Sequence, residues 1–342
     1  METTDFIDTV NYDRGSAARV HVYQLVSGVW TSRAILSVPF AHSAVFDENM
    51  LIVGTGNPAA NQAAGLPGVN TYLITRDALN VPAFTLQPQL TPVSSSYGYK
   101  PIARVARVEN RLVTGWAGDP SRNGGRGLVS VWNKNAAGTG WVATPAQEMT
   151  ATGVDRYDRF GFAVAAEGLR LAVGAPRDDT AAPQAGRVYL YSWNGTAYVQ
   201  TQVINSPVAQ AEAGFGSAIA MKGNKMLVGS PGVTVGGVPH VGAVYLYRFD
   251  GLAWQLLRTL PVPAASQSEF GIEVAIGDAW LAAGSRFASP RPIHPSPRGS
   301  HCSRFIRLPI GTPATASSER PLRLRRIRIS TGCQTSSNSP AA

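Results

Sequence analysis

The chain has 342 residues, of which 44% are hydrophobic and only 15% charged, with 35 glycines and 24 prolines. So few charges exclude a disordered or coiled-coil chain, and so much glycine and proline argues against long helices and for a turn-rich β protein. The net charge of +9 belongs to the C-terminal end: ten arginines and one acid, Glu319, follow residue 285, which leaves 20 basic and 20 acidic residues in 1–285 and no basic surplus there to bind nucleic acid.

No apolar run approaches the ~18 residues of a membrane span. The opening residues Met1 to Asp5 are acidic and polar, unlike a secretory leader. Both cysteines, Cys302 and Cys333, follow residue 285, so residues 1–285 hold no disulfide, thiolate metal site or cysteine nucleophile, and the redox compartment stays undecided.

In chain order the sequence reads as a repeat. Ala18–Tyr23 matches the second half of a unit with no first half before it. Leu51–Gly54 precedes Gly68–Tyr72, and Leu112–Gly115 precedes Gly127–Trp132. Three sharper copies follow. Phe160-Gly161 leads to Leu171–Pro176 and Gly186–Tyr191. Phe215-Gly216 leads to Leu227–Pro231 and Gly242–Tyr247. Phe270-Gly271 leads to Leu281–Ser285 and stops. The anchoring glycines are Gly54, Gly115, Gly174, Gly229 and Gly284, and in the last three units each lies 14 residues after the phenylalanine. Each unit reads as four short strands. Residues 161–166 and 169–174 are the first pair, 187–193 the third, and Asn194-Gly195 a hairpin turn into the fourth. Four-stranded units at a ~50-residue period are the pattern of a β-propeller.

Phe160-Gly161, Gly174-Ala175-Pro176 and Gly186–Tyr191 resemble the FG-GAP repeat, found in integrin α-subunit propellers and many bacterial extracellular proteins. The resemblance covers about residues 18–285. It implies an all-β propeller of about five four-stranded blades, or a fragment of a seven-bladed one. Five blades would need the half-units at 18–36 and 270–284 to share one composite blade. Some family members carry a calcium loop of Asp-x-Asp-x-Asp-Gly type between the first two strands. Here that stretch reads Ala165–Arg170 or Ala220–Lys225 without the acidic cage, so no cofactor is expected.

The resemblance also implies that the strand 2–3 and strand 4–1 loops recognise ligands, here about 55–67, 116–126, 145–159, 175–185, 205–214 and 230–241. Trp116, Asp119, Arg122 and Arg126 give one of them an aromatic and both charges, and Arg177 adds a cation to another. Asp178 and Asp179 could hold a hard cation with backbone carbonyls, or cap their own turn. His21, His42 and His240 lack metal-ligand spacing and read as turn or core residues. No nucleophile elbow, phosphate loop or dinucleotide fingerprint occurs.

Residues 286–342 break the pattern in mid-unit. They are rich in Arg, Pro and Ser and hold no Tyr or Trp. Translation out of frame explains that change, and a basic segment for nucleic acid or acidic membrane is the competing reading. The expected organisation is a propeller over 1–285 and a disordered tail over 286–342, with Leu322–Arg325 its best strand former. The expected function is a non-catalytic recognition or adhesion module, not an enzyme. It would bind protein or carbohydrate in an extracellular, periplasmic or cell-surface setting. The alternatives are a hydrolase with its site in the propeller funnel and a truncated chain without function of its own.

Overall fold

The computed structural model describes residues 5–8, 19–38, 41–47, 49–55, 68–91, 102–117, 126–155, 157–260, 262, 268–286 and 303–309. They form six antiparallel sheets in chain order. The first has three strands, β1 (Asp5–Asp8), β2 (Arg19–Val26) and β3 (Val29–Ser37). The second comprises β4 (Ala41–Asp47), β5 (Met50–Thr55), β6 (Val69–Arg76) and β7 (Pro82–Leu86). The third comprises β8 (Ile102–Val108), β9 (Arg111–Ala117), β10 (Leu128–Asn133) and β11 (Gln147–Met149). The fourth comprises β12 (Ala163–Glu167), β13 (Arg170–Ala175), β14 (Arg187–Trp193) and β15 (Tyr198–Asn205). The fifth comprises β16 (Ala218–Lys222), β17 (Lys225–Ser230), β18 (Ala243–Phe249) and β19 (Trp254–Leu260). The sixth has three strands, β20 (Val274–Ile276), β21 (Trp280–Arg286) and β22 (Ser303–Pro309).

This is the expected propeller architecture. Each sheet is an up-and-down meander, and the first strands β4, β8, β12, β16 and β20 lie against one another in succession. The second strands β5, β9, β13 and β17 and most of the third strands β10, β14 and β18 are buried on both faces, because each is covered by a neighbouring sheet. The fourth strands β15 and β19 are mostly exposed. A β-bulge recurs between the third and fourth strands, at Leu190/Tyr191, Leu246/Tyr247 and Val22/Tyr23. The bulge in β2 aligns β2 and β3 with the third and fourth strands of the later sheets.

The apolar core is divided among the sheet interfaces. Phe160 is fully buried with Val113, Val129 and Val131 of the third sheet and Leu171, Val173, Tyr189 and Tyr191 of the fourth. Phe215 occupies the same place one interface later, among Ala172, Val188 and Leu190 on one side and Met226, Val228, Tyr245 and Tyr247 on the other. In each case the phenylalanine meets two tyrosines edge-on, at 5.5 and 6.5 Å for Phe160 and at 5.6 and 6.3 Å for Phe215.

The glycines of the motif are set by close backbone approach between sheets. A Cβ on Gly174 would overlap the carbonyl oxygen of Gly216, and one on Gly229 would overlap that of Gly271. Gly174 therefore admits no side chain without separating the two sheets. Gly174→Ala is expected to cost about 2–3 kcal/mol by overpacking, read as a lower urea midpoint at unchanged slope; a midpoint equal to wild type would refute the contact. A second device was not apparent in the sequence. Gln147 donates from Nε2 to the Tyr198 carbonyl at 3.0 Å and accepts from the Tyr198 amide at 2.8 Å. Gln202 clamps Trp254 with the same two distances one sheet later.

The two ends differ from expectation. The half-units do not share a blade: β1 pairs with β2, and β22 pairs with β21, so each completes a separate three-stranded sheet. The stretch Ser303–Pro309 of the expected tail is thus a strand, registered so that Phe305 stands opposite Gly284. Leu322–Arg325 lies outside the described residues. By internal contacts the chain separates into residues 1–309 and 310–342.

Candidate functional site

One cavity of about 220 Å³ opens where the fourth and fifth sheets meet, on the face built by the strand 2–3 and 4–1 loops. Its lining comes from equivalent positions of two consecutive units. The fourth sheet's unit contributes Arg159, Phe162, Pro176, Arg177 and Gln184, and the next contributes Gly214, Ser217, Pro231, Gly232 and His240. Glu212 and Glu269, from the two 4–1 loops, complete it.

Backbone bonds between successive loops hold these side chains in place. The Glu212 amide donates to the Pro183 carbonyl at 2.7 Å and the Gly214 amide to the Gln184 carbonyl at 3.1 Å. The Glu269 amide donates to the His240 carbonyl at 2.9 Å, and the Arg177 amide to that of Asp158 at 3.2 Å. Arg159, Arg177 and Glu269 are half-buried, whereas Glu212 and His240 are exposed. The site therefore places two carboxylates, an imidazole and two guanidiniums around one small volume.

The backbone here is unusual. Arg159, Gln184, Glu212, His240 and Glu269 have left-handed φ of 59°, 53°, 60°, 54° and 48°. They are five of the nine non-glycine residues with positive φ among the described residues. The position before the motif phenylalanine shows what this means. It is Arg159, Gly214 and Glu269 in successive units, and all three are left-handed, with Gly214 at 67°. Glycine adopts this conformation freely and the middle unit uses it, so arginine and glutamate at the other two positions carry strain. Non-glycine residues in such conformations cluster at functional sites.

Asp158, whose carbonyl accepts from the Arg177 amide, is 3% exposed. Burial pushes its carboxyl up to about 7, opposed by the Asp155 amide, which donates to its Oδ2 at 2.7 Å, and reinforced by the charges of Asp178, Asp155 and Asp179. Asp178 is buried but well served: it accepts from the Tyr189 hydroxyl at 2.9 Å and the Thr180 amide at 2.9 Å, and pairs with Arg187 at 3.3 Å. Asp179 accepts from the Gln184 amide at 2.6 Å. Both carboxylates thus bind their own turn. Among the described residues, no group of three or more His, Cys, Asp or Glu is arranged to hold a metal.

In the next unit Val233 replaces Asp178, and the hydroxyl of Tyr245, the counterpart of Tyr189, is buried without a hydrogen-bond partner. Tyr245→Phe should therefore leave stability unchanged or raise it, while Tyr189→Phe should cost about 1–2 kcal/mol by stranding Asp178. Equal losses in paired thermal melts would refute this difference.

The other sequence candidates separate. Arg177 lines the cavity. Trp116 does not belong to a loop: it lies in β9, 2% exposed, and its indole donates to Ser130 Oγ at 3.1 Å, so it serves packing. Arg126 is exposed, and its carbonyl accepts from the Phe160 amide at 3.0 Å. Asp119 and Arg122 lie outside the described residues. Sequence reasoning missed Arg159, Glu212 and Glu269 and set His240 aside. The available signal was position, since all four lie within a few residues of a motif glycine or phenylalanine.

Residues 144–191 match the FG-GAP repeat family. No curated protein matches the chain. Solved structures with a similar fold include a Bacteroides fragilis protein described as a 6-phosphogluconolactonase, 9% identical, with a TM-score of 0.45 over 83% of this chain and 89% of that one. An exo-β-1,3-galactanase from Phanerochaete chrysosporium is 13% identical, with a TM-score of 0.45 over 81% of this chain and 61% of that one. An α-L-arabinofuranosidase from Fusarium graminearum is 11% identical, with a TM-score of 0.45 over 84% and 85%. These findings correct the expected non-catalytic recognition or adhesion module and the expectation of no enzyme. The solved structures of similar fold are named as enzymes. The ionisable residues that line the cavity come together only in the folded chain.

Proposed function

We propose that this FG-GAP repeat protein is a hydrolase acting on glycosidic bonds, with its site in the cavity between the fourth and fifth sheets. The observation that carries this reading is the convergence of Glu212 and Glu269 from two different loops on one cavity, with Glu269 half-buried and Glu212 open to water. Glycoside hydrolysis needs two carboxyl groups flanking the scissile bond. Glu269 serves as the general acid, giving its proton to the glycosidic oxygen as the bond from that oxygen to the anomeric carbon breaks. Glu212 serves as the base, taking a proton from the water whose oxygen bonds to that carbon. The rigid 2–3 and 4–1 loops hold both groups through the Pro183 and His240 carbonyls. The match to FG-GAP repeats, typical of extracellular or surface proteins, supports a location outside the cell or at its surface. Among the described residues, no helix is long and apolar enough to cross a membrane.

A panel of 4-nitrophenyl glycosides tests this reading. The wild-type protein should turn over at least one of them, and Glu212→Gln and Glu269→Gln should each be about 10²–10⁴-fold slower at an unchanged melting temperature. Variants as active as wild type would exclude these roles.

A further inference from the structure

The hairpin that joins β14 to β15 carries Asn194-Gly195 at its tip, and the next unit turns on Asp250-Gly251. The two turns share one geometry. The Asn194 amide donates to the Ala197 carbonyl at 3.0 Å and the Asp250 amide to that of Ala253 at 3.1 Å. The glycines have positive φ, 106° and 108°. In both, the side chain of the first residue caps the turn. Asp250 Oδ1 accepts from the Leu252 and Ala253 amides, each at 2.9 Å. Asn194 Oδ1 accepts from the Thr196 and Ala197 amides at 3.0 and 2.9 Å, and also from the Thr196 hydroxyl at 3.0 Å. The turn thus holds a carboxylate in one unit and an amide, with one donor more, in the other.

Three donors on one amide oxygen draw electrons from Cγ, and they stabilise the negative charge that appears on Oδ1 when Cγ is attacked. A nucleophile adjoins it in the chain. Among the described residues, the Gly195 amide donates to no protein acceptor. A Cβ at Gly195 would have nothing within 4 Å, so the nitrogen is unshielded. Asn194, Gly195 and Thr196 are all exposed. From this we infer that Asn194-Gly195 is a site of spontaneous covalent modification, at which the Asn194 amide becomes a carboxylate. The Gly195 nitrogen, having lost its proton to hydroxide, bonds to Cγ and closes a succinimide ring. The Cγ–Nδ2 bond breaks, and the nitrogen takes up a proton from water and leaves as ammonia. Water then opens the ring. Breaking the bond from the Gly195 nitrogen to Cγ gives aspartate, and breaking its bond to the Asn194 backbone carbonyl carbon gives isoaspartate. Water is the only co-reactant, and the step is independent of the hydrolase reading.

The two products differ in what the hairpin can keep. Aspartate repeats what Asp250 already does one unit later. Isoaspartate routes the backbone through the side chain and lengthens it between Trp193 and Tyr198, which pair across the hairpin. Their rings lie 4.3 and 5.8 Å from the Arg111 guanidinium of the third sheet, and Tyr198 is clamped by Gln147. The isoaspartyl form is therefore the one that loosens the third sheet from the fourth.

Incubating the full chain in mildly alkaline buffer, then mapping its tryptic peptides by mass, tests the inference. Trypsin separates Asn194 from the chain's other Asn-Gly pair, Asn123-Gly124. The Asn194 peptide should gain the mass of an amide-to-carboxyl exchange and resolve into two species of equal mass, with ammonia released in step. It should convert at least as fast in the folded chain as in urea. Thr196→Val should slow conversion about fivefold by removing one donor to the charged oxygen, and Thr196→Ser should keep the wild-type rate. Asn194→Asp should melt like wild type, whereas the isoaspartyl fraction should melt lower. Slower conversion in the folded chain than in urea would show that the capped turn protects the amide and would overturn the inference, as would a Thr196→Val rate equal to wild type.

Discussion

Replacing Phe215 with alanine is expected to destabilise the folded chain by about 3–5 kcal/mol, the range for truncating a fully buried aromatic. Phe215 has no exposed surface and joins side chains of the fourth and fifth sheets in one cluster. Its amide donates to the Ala185 carbonyl at 2.9 Å, so the backbone cannot slide to fill the space left behind. The cavity created would lie between two sheets that are themselves held apart by the Gly174–Gly216 contact. Collapse is blocked from both directions, which places the cost toward the upper end. Urea unfolding at fixed pH reads it directly, and a loss below about 1 kcal/mol would show that the motif phenylalanine is not what joins successive sheets.

The stability of the protein should also fall between pH 4 and pH 7 because of Asp158. Its carboxyl ordinarily titrates at 3.8 and in the fold at about 7. Between those values the folded chain holds a proton that the unfolded chain has lost, so stability decreases by up to ~1.4 kcal/mol per pH unit and by on the order of 4 kcal/mol across the window. Below the lower value both states are protonated and the effect vanishes. Asp158→Asn removes the slope: it should match wild type near pH 3.5 and exceed it at pH 8. Matching stability at both pH values would mean that Asp158 is solvated or paired, contrary to its burial.

Most of the fold was legible because its signature is physical. Phe160 and Phe215 repeat because each fills one sheet interface, and Gly174 and Gly229 repeat because a neighbouring carbonyl occupies the space of their side chains. The same logic explains the errors. Trp116 follows a motif glycine and reads as the start of a loop, yet β9 runs on through Ala117 and buries it. Ser303–Pro309 lacks every repeat landmark, and only its pairing with β21 identifies it as a strand. The candidate site was hidden for a different reason. Its residues fall where the units disagree, as at Arg159, Gly214 and Glu269, and a search for repetition discards such positions. Arg159 and Glu269 are also far apart in sequence, and only the meeting of adjacent sheets brings them to one cavity.

Turnover tests the hydrolytic site most directly. Wild-type protein and the double variant Glu212→Gln/Glu269→Gln, purified identically, should be compared on neutral and acidic 4-nitrophenyl glycosides. A glycosidic site in this cavity predicts release of 4-nitrophenol by the wild type and none above background by the double variant. Release at equal rates, or by neither protein on any substrate, would contradict it.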